Sequence, residues 1–107
     1  GIAVVHVQHP GSDLAAVRRD GLQAAMTGRE LAARTADVRV VLDRLARGTP
    51  VGDCAVVRLD VSRVGMSGHS YGAHTTQALA GQRFAAVGDA APLRDPRVVA
   101  AIAFSPA

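Results

Sequence analysis

Apolar residues in this chain fall into two kinds of run. Short, nearly unbroken stretches occur at Ile2–Val7, Val61–Ser67 and Val98–Phe104. Such runs read as strands, and the first and last as strands buried in a parallel sheet. Elsewhere the spacing is helical. Val38, Val41, Leu42 and Leu45 recur at i, i+3, i+4 and i+7, which predicts a helix capped by Thr35 or Asp37 and stopped by Gly48 and Pro50. A second helix is expected from Ser70 to Ala80, with Ala73, Ala78 and Ala80 allowing close approach to the sheet and Gly81 ending it. Ser12–Thr35 reads as broken helix and loop, because Gly21 and Gly28 interrupt its apolar positions at a cost of about 1 kcal/mol each. Thr49–Asp60 reads as a connector. The order strand, helix, strand, helix, strand predicts an α/β fold with a parallel sheet and right-handed crossovers, formed by residues 1–107 as one domain.

The chemistry concentrates where the second strand meets its helix. Gly68-His69-Ser70-Tyr71-Gly72 has the pattern G-x-S-x-G, with an apolar strand before it and a helix after it, as a nucleophile elbow requires. To lift a serine hydroxyl above a sheet edge, the turn must hold the serine in a strained conformation, and glycines on both sides avoid collisions. The new helix aims free N–H groups and its positive dipole end at the place where an oxyanion would form. A phosphate-binding loop suits the same turn poorly, because there is no Gly-Lys-Ser/Thr, no lysine at all and no G-x-G-x-x-G.

The stretch Gly65–Thr76 resembles the elbow of bacterial hydrolases related to platelet-activating-factor acetylhydrolase and dienelactone hydrolase. His9-Pro10-Gly11-Ser12-Asp13, Asp37–Asp43 and Asp95–Pro106 agree with that group in order and spacing. The resemblance implies a partial α/β-hydrolase fold in which Ser70 is the nucleophile, the Tyr71 backbone N–H is an oxyanion donor, and Gly68, His69 and Gly72 shape the elbow. It also implies a small acyl or phospholipid-like ester as substrate. Dienelactone hydrolases proper carry cysteine where this chain has Ser70. In the family the acid follows a later strand and the base follows the acid, so Asp89 and Asp95 read as loop and cap residues. His69 and His74 cannot reach Ser70 from the same turn and helix. The acid, the base and the second oxyanion donor are thus expected outside this chain. A non-catalytic α/β interaction domain, or a small-ligand or phosphate module, would use the same turn without chemistry at Ser70.

Composition narrows the rest. The 107 residues are 49% hydrophobic and 20% charged, an ordinary globular balance. The net charge of +3 comes from scattered arginines, and aromatics make up only 3%, so no nucleic-acid footprint is expected. Arg39, Asp43 and Arg47, four apart, read as surface pairs on the outer face of the first helix. His9 reads as a turn histidine bonded to nearby backbone, His6 as a packed or edge residue, and Cys54 as an unreactive single thiol that allows no internal disulfide. No apolar run approaches a membrane span. No metal or other cofactor is expected. Oligomeric state and localisation are left open.

Overall fold

The computed structural model describes residues 2–11, 14–21, 27–48, 59–85 and 93–106. Within them run α1 (Leu14–Asp20), α2 (Gly28–Ala46), β1 (Val64–His69), α3 (Tyr71–Ala80) and β2 (Val98–Phe104). The strands β1 and β2 pair in parallel, with Gly65 beside Ala100 and His69 beside Phe104. The described residues therefore form an α/β unit with a two-stranded parallel sheet.

Helix α2 begins well before the expected start. Its signal is Thr27-Gly28-Arg29-Glu30, in which the Thr27 hydroxyl accepts from the Glu30 N–H at 3.1 Å, the first half of a capping box. Thr35 is then an interior residue, with its hydroxyl donating to the Ala32 carbonyl at 2.8 Å. Over 19 residues the helix buries Leu31, Thr35, Val38, Leu42 and Leu45, a stripe at helical spacing. Gly48, at φ 73°, lies just beyond its end.

Strand β1 begins later than the apolar run suggests. Asp60 Oδ1 accepts from both the N–H (3.0 Å) and the hydroxyl (2.5 Å) of Ser62, an Asx turn that takes these residues out of the ladder. Helix α3 follows β1 and ends at Gly81, whose φ of 122° suits only glycine well. Leu79, fully buried, meets Val38, Leu42, Leu45 and Val98 in the core, with Val64 and Met66 packed against it.

Two expectations about the sheet are corrected. Ile2–Val7 is irregular, largely exposed, and not paired with β1. Strand propensity reflects fit to a half-buried pleated surface, and no ladder partner lies beside this run among the described residues. Nor is the sheet buried on both faces. In β2, Ile102 and Phe104 are 59% and 52% exposed, because they pair with Ser67 and His69 on the face opposite Met66, which packs against the core formed by α2 and α3.

The polar residues of α2 do more than pair along its surface. The Arg39 guanidinium donates to the Leu93 carbonyl and, at 3.2 Å, to that of Arg94, and Asp43 accepts from Arg97 at 2.8 Å. Instead of surface pairs within one helix, Arg39 and Asp43 clamp the approach to β2. At its centre is buried Asp95, which accepts from the Arg97 N–H at 2.9 Å and from its guanidinium at 2.7 Å. The Arg97 side chain, opposed by desolvation, holds the Asp95 carboxyl below its ordinary range. Asp95 is thus a turn-closing residue, in keeping with its expected loop role. Gly88, Asp89, Pro92 and the Cys54 connector lie outside the described residues. No described helix is long and apolar enough to cross a membrane.

Candidate active site

Ser70 stands at the bend between β1 and α3, half-buried, in the N-cap position. Its backbone is at φ 55°, ψ −117°, a region that non-glycine residues rarely occupy and that costs about 1–3 kcal/mol. An N-cap serine ordinarily sits in the extended region and spends its hydroxyl on the N–H of the first turn. Here the side chain makes no capping bond. The Ser70 hydroxyl is therefore not spent on the first turn of α3.

The bend is held from two sides. The Ser70 N–H donates to the Phe104 carbonyl at 3.0 Å, and the Ser70 carbonyl accepts from Ala73 at 3.0 Å. Gly68 is where the strand crosses the helix start most closely. A methyl group there would lie 2.1 Å from the Gly72 carbonyl oxygen and 2.8 Å from Thr76 Oγ1. The expectation that both glycines are sterically required holds for only one of them. At Gly72 an added Cβ would meet nothing nearer than an Arg34 nitrogen at 3.8 Å, an ordinary contact, since that position already points away from the strand.

Around the elbow, the structure gathers residues that the sequence did not single out. Glu30, Arg34 and Asp37 recur at helical spacing on α2. Arg34 Nε donates to Thr75 Oγ1 at 2.8 Å, and its guanidinium carbon lies 5.1 Å from the centre of the Tyr71 ring. The Tyr71 hydroxyl donates to the Thr27 carbonyl. Burial lowers the Arg34 pKa from its ordinary value and raises that of Tyr71. Sequence reasoning passed over Arg34 because its partner is 41 residues away; the i, i+4, i+7 polar stripe was the available signal.

His9 is also placed differently from expectation. It is 6% exposed, and its Nδ1 lies 2.9 Å from Asp37 Oδ2, so its partner is a side chain on α2 rather than nearby backbone. Burial lowers its pKa below 6.5, outweighing the hydrogen bond it makes to Asp37. His9 and Arg34 help line a cavity of about 330 Å³ that reaches Gly68 and Gly72 without including Ser70. Among the hydrogen bonds of the described residues, none joins the Ser70 hydroxyl to a histidine. His69 is exposed at the end of β1, not packed. His74 packs edge-on between Tyr71 and Phe84, at ring separations of 6.1 and 5.5 Å. Ser105 follows β2 at φ 46°, so the parallel pair delivers Ser70 and Ser105 at neighbouring carboxyl ends, where open α/β sheets bind ligands. Among the described residues no three His, Cys, Asp or Glu side chains converge on a metal position.

The described residues thus show a strand–turn–helix unit that presents Ser70 in a strained conformation. Set against known proteins, the chain matches no family model, no curated protein and no solved structure.

Proposed function

We propose that this chain carries the nucleophile of a serine hydrolase acting on small carboxylic esters, in a partial α/β-hydrolase fold. The observation that carries the reading is Ser70 itself: φ 55°, ψ −117°, and a hydroxyl that caps nothing. A serine placed only to start a helix would adopt the extended backbone and bond the first turn. Holding it instead in a costly conformation, beside a glycine whose Cβ would overlap the Gly72 carbonyl, has a chemical rationale when the hydroxyl is the reacting group.

In this reading Ser70 Oγ attacks the ester carbonyl carbon, and the carbonyl oxygen becomes an oxyanion facing the Tyr71 N–H. The Ser70 proton passes to a histidine base paired with a carboxylate, and from there to the leaving alkoxide. Water then attacks the acyl-serine and regenerates the hydroxyl. The triad base and acid, and the second oxyanion donor, are assigned to the parent protein rather than to this stretch.

The test is turnover of a short-acyl p-nitrophenyl ester by the parent protein. Loss of at least 10³-fold in Ser70→Ala is expected from the usual weight of a nucleophile, with the circular dichroism spectrum retained. Equal turnover in both proteins rejects the reading. A partner-binding role draws on the exposed Val99, Ile102 and Phe104 of β2; it predicts no esterase activity and binding indifferent to Ser70→Ala.

A further inference from the structure

We propose that Arg34 is the positioning residue of the elbow, an assignment that rests on the hydrolase reading above. Three observations converge on it. Its Nε–H is bonded to Thr75 Oγ1 at 2.8 Å. Its guanidinium carbon lies 5.1 Å from the Tyr71 ring centre. One of its terminal nitrogens is the nearest atom to a Cβ built on Gly72, at 3.8 Å. The guanidinium therefore lies across the first turn of α3, contacting Tyr71 and Thr75 and facing the side of Gly72 where a Cβ would stand.

Its effect passes through a relay. Thr75 Oγ1 accepts from Arg34 and donates to the Tyr71 carbonyl at 3.2 Å. Chained hydrogen bonds polarise one another, so the Tyr71–Gly72 peptide at the helix start is both fixed and polarised. The stacked cation holds the Tyr71 ring, and that ring is tied at its far end to the Thr27 carbonyl. Together these contacts hold Tyr71 at its ring and at its carbonyl, and so fix the orientation of the residue whose N–H is the proposed oxyanion donor. Glu30 and Asp37, on the same helix, favour the charged form of Arg34 against the cost of burial. Lysine cannot substitute fully, because a single ammonium lacks the planar fork that bonds Thr75 and stacks on Tyr71 at once.

The test reads the second-order rate constant for phosphonylation of Ser70 by a fluorophosphonate in the parent protein, alongside the thermal midpoint. Arg34→Met and Arg34→Lys are expected to react at least tenfold more slowly, with the KM for a short-acyl ester changed less than kcat. Millimolar methylguanidinium is expected to restore part of the rate in Arg34→Ala, which a purely structural loss would not allow. An unchanged rate in Arg34→Met overturns the proposal while leaving the hydrolase reading standing, as does a slowed Arg34→Ala that methylguanidinium fails to rescue. If Ser70 of the unaltered protein is not labelled, the hydrolase reading fails and this proposal falls with it.

Discussion

Gly68→Ala is the sharpest perturbation that the elbow offers. The added methyl would sit 2.1 Å from the Gly72 carbonyl oxygen and 2.3 Å from its carbon, while real contacts of this kind need about 3 Å or more. Strand and helix start must therefore separate by about 1 Å, and both are backbone. The separation pulls against the Ser70–Phe104 bond at 3.0 Å, and the methyl also crowds Thr76 Oγ1, 2.8 Å away. Overpacking against rigid neighbours costs up to about 3 kcal/mol, and weakening one neutral hydrogen bond adds about 1. The expected loss is thus about 3–4 kcal/mol, or roughly 12–30 °C in the thermal midpoint for a domain near 100 residues. Gly72→Ala is the control, because its Cβ has room and alanine is the better helix former; a change between zero and about 1 kcal/mol of stabilisation is expected. Denaturant unfolding of the two variants measures the difference directly. If Gly68→Ala unfolds within 0.5 kcal/mol of the unaltered protein, or Gly72→Ala falls as far, the close crossing described here is wrong.

Two further outcomes follow from the same geometry. Ser70→Gly should relieve the strained backbone and raise stability by about 1 kcal/mol while abolishing any reaction at that position; a loss of stability on calorimetry would contradict the strain. On acidification, stability should fall in two stages. The folded pKa of His9 is depressed, so its share is present above pH 6.5 and drains away as the pH falls through the folded value. The folded pKa of Asp95 is depressed as well, so its share persists above the ordinary carboxylate range and is lost below it. Asp95→Asn should remove the second stage and cost about 2–3 kcal/mol at neutral pH, because it leaves Arg97 without its main partner. An unchanged acid profile in that variant would refute the assignment.

The parts of this structure that were legible in sequence are those governed by local chemistry. Val98–Phe104 appears as a strand at its expected bounds, and Ser70 stands at the strand-to-helix bend where G-x-S-x-G placed it. Gly81 ends α3 as foreseen. Misreadings arose where side-chain hydrogen bonds overrode the hydrophobic pattern. Thr27 started α2 early, and Asp60 shortened β1 by bonding Ser62. The run Ile2–Val7 looked like a strand because its residues favour one, but a strand also needs a neighbour. The surroundings of the site were least legible. Arg34 with Thr75, and His9 with Asp37, join residues 41 and 28 positions apart; the polar stripe of α2 marks Arg34 and Asp37 but does not name their partners.

The measurement that bears most directly on Ser70 as a nucleophile is peptide mapping after treatment of the parent protein with a fluorophosphonate. The expected result is a single phosphonyl adduct on the peptide that contains Ser70, absent when the protein is unfolded before treatment and absent in Ser70→Ala. An adduct on another serine, such as Ser105, or no adduct on the folded protein, would contradict the assignment.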